Sequence, residues 1–382
     1  AGVPLIFISA DRPPELQACG ANQTVDQIRL FGPHVRASHA LSVPDAGFDA
    51  AYLHRLAARV CEQASWPLPG PVHVNQPFRE PLLPSGEIPP PKLLEKIHLS
   101  WPEPSPNQSA ISALANAIAG RPGVISCGEL PPEHGFPEAL SALAAQLNCP
   151  IFAEPLSNLR FGPHDRSHLC VRYNHWLADQ NFVEQHRPDW ILRFGTFPVT
   201  RHLQNYLGSA AAVHALVEPW PRWTDPAHRL THLLRAAPRA VCQALLACAP
   251  TPAPASWHAA FAAKEAITQA DNTAGHIAIL LDELPENTPL FVGNSLAIRH
   301  LDSASGSADK PLYFFGNRGA SGIDGNISTA IGIAAVHGRI VALLGDLTCQ
   351  HDLGGLALAQ ERNVIIVAVN NGGGGIFDLL PQ

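Results

Sequence analysis

The chain has 382 residues, enough for two or three domains with separate cores. Hydrophobic residues make up 46% and charged residues 15%, with a formal net charge of −7. This describes a globular protein for which nucleic acid and anionic membrane surfaces are unfavourable partners, and no apolar run reaches the roughly 18 residues that a membrane-spanning helix needs.

The opening AGVPLIFIS is apolar, but it lacks a basic leader and runs into ADRPPE, so it reads as a strand rather than a signal peptide. The eight cysteines (Cys19, Cys61, Cys127, Cys149, Cys170, Cys242, Cys248 and Cys349) are scattered without a CxxC pair. Reduced thiols and a cytoplasmic location are therefore expected. His164 and His168 have no cysteine or carboxylate set around them, so no zinc site is expected there. Methionine is absent, the chain opens inside a strand, and it stops a few residues past its most informative motif. Missing residues are expected at both ends.

Residues 4–9 predict a strand whose exit, Ala10-Asp11-Arg12-Pro13-Pro14, is stiffened by two prolines, so Arg12 leaves from a rigid bend. CGANQTVDQIRLFG then places Asn22 and Gln23 at a helix start. That stretch reads equally as a turn with a capped helix or as the polar wall of a substrate site. A helix is expected over 48–64 and a short strand over 71–74. Residues 83–108 are proline-rich and mark an interdomain linker.

A second unit alternates helix and strand: helices over 110–119 and 138–147, strands over 123–126, 151–153, 190–194 and 212–217. This is the pattern of a parallel sheet covered by helices. It contains no phosphate loop, and a structural role is expected for it. Arg201 follows the strand over 190–194 far enough to reach a crevice or to lie solvated. A Pro/Ala-rich connector at 249–256 precedes the last domain.

That domain begins with helical stretches over 257–271 and 274–284 and a strand over 289–292. Gly293-Asn294-Ser295 then starts a helix, with Ser295 and Arg299 on one face at i and i+4. They form either a carboxylate or phosphate receptor beside a helix N-terminus, or a capping serine and a surface arginine. After a strand over 312–315, the loop GNRGASGIDG carries Arg318 at a strand end and leads into a helix over 326–335.

The last stretch is the most informative. An apolar run over 340–344 ends in Gly345-Asp346, a helix is expected over 352–360, and a second run over 364–369 ends in Asn370-Asn371 and four glycines. Strand, helix, strand in this compass is a right-handed parallel βαβ unit, so both polar clusters emerge at one sheet edge, where open α/β folds bind ligands. A carboxylate and a carboxamide there are hard oxygen ligands suited to Mg²⁺, and glycines admit close backbone approach. Asp346 and Asn371 thus predict a metal–diphosphate site.

The motifs ISADRPPEL (8–16), CGANQTVDQ (19–27), QPFREPL (76–82), FVGNS (291–295), NRGASGIDG (317–325), GDLTCQHDL (345–353) and NNGGGGIFDLLPQ (370–382) occur in order. In these the chain resembles the family of 2-succinyl-5-enolpyruvyl-6-hydroxy-3-cyclohexene-1-carboxylate synthases, thiamine-diphosphate transferases of menaquinone biosynthesis. The resemblance implies an α/β fold of three domains built on parallel sheets flanked by helices, the first and last incomplete. Residues 1–82 would be the later part of a pyrimidine-binding domain, 83–108 the linker, 109–252 a central domain and 253–382 a diphosphate-binding domain. A homodimer or homotetramer is implied, because the family's cofactor lies between subunits. The family's activating glutamate and a serine–arginine pair would precede Ala1.

The implied reaction is decarboxylation of 2-oxoglutarate and 1,4-addition of the succinyl carbanion to isochorismate. By the same resemblance Mg²⁺, or Mn²⁺, takes Asp346, Asn371 and the carbonyl of Gly373. Ile323, Gly345, Leu347, Thr348 and Gly374 also meet the thiamine diphosphate. Ser295, Arg299 and Arg318 hold the 2-oxoglutarate-derived carboxylate, and Arg12, Asn22 and Gln23 face isochorismate, with Arg201 a further helper. Ile376, Phe377 and Leu380 wall the pocket, or are plain core. Two other functions fit the residues: a thiamine-diphosphate enzyme acting on a smaller 2-oxo acid, and a non-catalytic remnant that binds diphosphate ligands.

Overall fold

The computed structural model describes residues 2–45, 47, 49–83, 86, 95–209, 211–268 and 274–379. The chain falls into two compact units, one of Ala1–Pro102 with Trp220–Arg222, the other of Glu103–Pro219 with Trp223–Gln382. Among the described residues no helix is long and apolar enough to cross a membrane.

The first unit holds a three-stranded parallel sheet of β1 (Leu5–Asp11), β2 (Ala37–Ala40) and β3 (Pro71–Pro77), in the order β1-β3-β2. β1 and β3 run past the apolar stretches that predict them because polar side chains tie their ends together. Ser9 Oγ donates to Asn75 Oδ1 at 2.8 Å, and Asn75 Nδ2 donates to Asp11 Oδ2 at 2.6 Å. The helix Ala50–Ser65 starts at Asp49, whose carboxylate accepts from Ala51 N. Val60 and Ala64 bury against Val72 and Val74. Phe48, the expected helix start, lies outside the described residues.

One expectation fails here: Asn22 and Gln23 do not begin a helix. Residues 17–31 form successive turns, with Ala18, Gln23 and Arg29 at positive φ. Local side-chain bonds compete with helix formation, as where Asp26 Oδ1 accepts from Ile28 N at 3.0 Å. Of the proline-rich stretch, Pro84, Pro89, Pro90 and Pro91 lie outside the described residues, and no helix or strand occurs among the described residues between Pro77 and Gln108.

The second unit contains two parallel sheets. The central one has β4 (Gly123–Cys127), β5 (Ile151–Ala153), β6 (Leu169–Cys170), β7 (Trp190–Phe194), β8 (Val213–Val217) and β9 (His232–Leu234), in the order β6-β5-β4-β7-β8-β9. β6 and β9 are too short to leave a periodic signal. Helices Gln108–Ile118, Phe136–Leu147 and Pro238–Ala247 cover one face with Leu114, Leu140 and Leu245. Arg201–Gly208 and Ala255–Ile267 cover the other with Leu203, Trp257 and Phe261. Burial on both faces explains why the long strands read as continuous apolar runs.

The second sheet has β10 (Thr288–Val292), β11 (Leu312–Gly316), β12 (Arg339–Gly345) and β13 (Asn363–Val369), in the order β11-β10-β12-β13. Helices Gly275–Glu283 and Leu296–Ala304 pack on one face through Ile277, Leu281, Ile298 and Leu301. Asn326–His337 packs on the other through Ile327 and Ile331. The helix expected over 352–360 is instead a short helix, Asp346–His351, followed by a 3₁₀ stretch, Leu353–Ala359. The cause is local. Asp352 Oδ2 accepts from Ser328 N at 2.7 Å, and a Cβ on Gly355 would stand 2.6 Å from Ser328 Oγ, so the chain is pinned to the neighbouring helix.

One buried ion pair joins the two sheets. Arg160 and Asp302 have side chains 0% and 1% exposed. Arg160 Nε donates to Ala153 O at 2.7 Å and Nη1 to Asp302 O at 2.8 Å, while Nη2 meets the Asp302 carboxylate. Tyr173 Oη donates to the same carboxylate at 2.7 Å, and Asn174 Nδ2 also donates to it. Removing one partner of such a pair leaves a buried charge uncompensated. Asp302→Ala is therefore expected to destabilise the second unit by about 3–5 kcal/mol, read as a lower urea midpoint. An unchanged midpoint would contradict this account of the junction.

Candidate active site

β10 pairs with β11 on one side and β12 on the other, so successive connections leave β10 in opposite directions. This is a topological switch point, and the space beyond the carboxyl ends of β10 and β12 is a ligand crevice by construction. The register is tight: Val292 pairs with Leu343, and Gly293 N donates to Leu343 O at 2.9 Å. Gly345 in turn pairs with Val369, so Asp346 and Asn370-Asn371 leave neighbouring strands side by side. A cavity of about 220 Å³ opens there. Ser295, Ile323, Asp346, Thr348, Asn371 and Ile376 line it, together with Gly345, Leu347, Gly374 and Phe377.

Asp346 is the first residue of its helix, and Oδ1 accepts from Leu347 N at 2.9 Å. Asn371 Oδ1 accepts from Gly373 N at 3.1 Å. Gly372, Gly373 and Gly374 have φ of 80°, 85° and 70°, a run of left-handed backbone that other residues enter only with strain. A Cβ on Gly375 would come within 2.8 Å of Asn371 Nδ2. These positions form a bare backbone cradle beside one carboxylate and one carboxamide, a donor set that fits a hard divalent ion and a diphosphate. Among the described residues no three His, Cys, Asp or Glu side chains cluster to hold a metal in another way.

Ser295 is the cap of helix Leu296–Ala304 but makes no capping side-chain bond, and its backbone sits at φ 63°, ψ −128°. A non-glycine residue held there is the kind of strain that clusters at functional sites. Arg299 is half-buried and folds back on the first turn, Nη1 donating to Ser295 O at 2.8 Å. Arg318 is also half-buried, and its Nη1 donates to Asn294 Oδ1. Burial pulls its guanidinium below the ordinary value, while Glu154 opposes that shift. Arg318 lines not the 220 Å³ cavity but a smaller one behind it.

In the first unit Arg12 Nη2 donates to Gln23 Oε1 at 3.1 Å. The two line a shallow cavity of about 440 Å³ with Gln27 and Phe78. Asn22 is exposed and does not line it. Arg201 is exposed at the start of its helix. Leu380 lies outside the described residues.

Sequence reasoning overlooked three residues here. Asn294, 2% exposed, donates from Nδ2 to Asn317 O at 2.9 Å and to Gly322 O at 2.7 Å, stapling the NRGASGIDG loop to the end of β10. Its place at a strand end was the available signal. His276 and His300 line the cavity from separate helices, rings edge-on at 6.1 Å. No spacing in the sequence connects them.

No family model matches the chain. Among solved structures it superimposes on benzoylformate decarboxylase from Polynucleobacter necessarius with a TM-score of 0.66 at 17% identity, covering 98% of this chain and 70% of that one. A putative thiamin diphosphate-dependent enzyme from Mycobacterium smegmatis gives 0.67 at 16%, covering 97% and 71%. The fold is that of the thiamine-diphosphate-dependent enzymes. Sequence comparison goes further. The chain is 62% identical over 382 residues to a 2-succinyl-5-enolpyruvyl-6-hydroxy-3-cyclohexene-1-carboxylate synthase of Dechloromonas aromatica (strain RCB), covering 100% of this chain and 71% of that protein. It is 36% identical to one of Geobacillus kaustophilus (strain HTA426), covering 100% of this chain and 69% of the relative. The chain belongs to the 2-succinyl-5-enolpyruvyl-6-hydroxy-3-cyclohexene-1-carboxylate synthase family, thiamine-diphosphate-dependent transferases of menaquinone biosynthesis.

Removing the one carboxylate of the cradle tests the site. Asp346→Ala in the full-length protein is expected to weaken Mg²⁺-dependent binding of thiamine diphosphate at least ~100-fold, the scale of losing an ionic ligand in a polar site. Titration calorimetry reads it, and a wild-type Kd would contradict the assignment.

Proposed function

We propose that the full-length protein decarboxylates 2-oxoglutarate and adds the remaining succinyl unit to isochorismate in a 1,4 manner. Asp346, Asn371 and the carbonyl of Gly373 would hold Mg²⁺ or Mn²⁺, leaving its other positions to the diphosphate. Thiamine diphosphate supplies, when bound, the carbon nucleophile and electron sink for decarboxylation, and the protein supplies orientation and charge. Ile323 would be the apolar wedge against the cofactor, and Ile376 and Phe377 would keep the pocket dry.

The observation that carries this reading is the pair of half-buried guanidiniums past the carboxyl ends of β10 and β11, Arg299 bonded to Ser295 O and Arg318 to Asn294 Oδ1. A 2-oxo acid with a second carboxylate presents one more anion for an arginine to neutralise than a monocarboxylate such as pyruvate does. Ser295, Arg299 and Arg318 would take that carboxylate, while Arg12, Asn22 and Gln23 would meet isochorismate. We also propose the division into segments 1–82, 83–108, 109–252 and 253–382, assembly as a homodimer or homotetramer, and a cytoplasmic location.

Two measurements test the proposal. CO₂ release is expected with 2-oxoglutarate and not with pyruvate, and the reverse preference would overturn it. Lysine does not reproduce the planar fork of arginine. Arg299→Lys and Arg318→Lys are therefore each expected to raise the KM for 2-oxoglutarate about 10-fold or more, since a charged hydrogen bond contributes about 1.5–3 kcal/mol. Unchanged KM in both variants would remove these arginines from the site.

A further inference from the structure

The central sheet has a switch point of its own, between β4 and β7. The turns there are laced together: Glu129 N donates to Thr196 Oγ1 at 3.0 Å, and Thr196 N donates to Glu129 O at 3.2 Å. A Cβ on Gly128 would stand 2.1 Å from Thr196 O, and one on Gly195 2.4 Å from Glu129 O. What remains is a cavity of about 70 Å³ lined by Glu129, Glu154, Thr196, Asp302 and Arg318. The guanidinium that lines it comes from the other sheet. The crevice in which a doubly wound sheet ordinarily takes a ligand here faces a side chain of the candidate active site.

Glu154 follows β5 and is 3% exposed. Its Oε1 accepts from Val199 N at 2.6 Å. We infer that Glu154, a buried carboxyl group of the central sheet that lines the same cavity as Arg318 without bonding to it, acts through Arg318 by setting the net charge presented to a substrate carboxylate. The inference rests on the proposed carboxylate-binding role of Arg318. Asn294 accepts a hydrogen bond from the guanidinium, and the carboxyl group shares its cavity.

The charged and titratable groups around this pair are Asp302 and Arg299 on helix Leu296–Ala304, Arg160 and Tyr173 from the central sheet, and Glu129 after β4. Burial, reinforced by the Asp302 anion, pushes Glu154 up to about 8, against the pull of the Val199 amide, Arg160 and Arg318. Near neutrality the group is mostly a neutral acid, which supports the guanidinium without consuming its charge. An anion bound by Arg318 favours that neutral form, so substrate binding and proton binding reinforce each other. Raising the pH through about 8 ionises Glu154, and the new charge opposes the substrate carboxylate.

The test is the KM for 2-oxoglutarate at pH 7 and pH 9 in the full-length holoenzyme, with Glu154→Gln, Glu154→Ala and Arg318→Lys beside wild type. Wild-type KM is expected to rise about 10-fold over this interval, the effect of one unit of linkage. In Glu154→Gln, which cannot ionise, the ratio is expected to fall below about 2, while the pH dependence of kcat stays that of wild type. Glu154→Ala, which also cannot ionise, is expected to lose the pH dependence of KM in the same way. Should that variant melt early, the Gln variant decides alone. A wild-type ratio in Glu154→Gln together with a raised KM in Arg318→Lys overturns this inference and leaves the carboxylate-binding reading standing. An unchanged KM in Arg318→Lys overturns this inference together with the role of Arg318 in that reading.

Discussion

Parallel strands joined by right-handed crossovers end on one edge of their sheet, and where the strand order reverses the connections diverge and leave a gap. In the sheet β11-β10-β12-β13 that gap lies beyond β10 and β12, and the chain has filled it with oxygen donors and bare backbone. Asp346 and Asn371 meet there because Gly345 and Val369 are paired across neighbouring strands, not because any local motif bends the chain between them. The left-handed glycines, the strained backbone of Ser295 and the Asn294 staple all refine a position that the topology already imposes.

The central sheet contributes through charge. Glu129 and Thr196 lace together the turns at its own switch point and leave a cavity of about 70 Å³. The sheet also sends two buried ionisable side chains toward the second sheet. Arg160 holds Asp302 at the far end of the helix that starts after Ser295, and Glu154 faces Arg318. Buried charges persist only when paired and hydrogen-bonded, so the Arg160–Asp302 pair ties the helix that carries Arg299 to the central sheet.

The sequence disclosed strand ends well and side-chain partnerships poorly. Although only β12 is buried and β13 is the partly exposed edge strand, the runs ending in Gly345-Asp346 and Val369-Asn370 were legible because each is continuously apolar and its exit is abruptly polar. β6 and β9 were not, being two and three residues long. The expected helix at Asn22 failed because the Thr24 and Asp26 side chains bond to nearby backbone, and the helix over 352–360 was lost to a contact with Ser328 made across the fold. Glu154, His276 and His300 left no pattern, since each acquires its meaning only from a partner far along the chain, and Asn294 left only its place at a strand end. The identification of the family depended on ordered motifs, most of them in the loops that carry chemistry.

The central claim is that Asp346 and Asn371 share one divalent ion with a diphosphate. The most direct measurement is anomalous diffraction from crystals of the full-length protein grown with Mn²⁺ and thiamine diphosphate. One manganese peak bonded to Asp346 Oδ, Asn371 Oδ1 and the carbonyl of Gly373, with diphosphate oxygens completing its shell, is the expected result. A diphosphate bound in the cavity with the ion elsewhere, or with neither side chain in contact with it, would contradict the account.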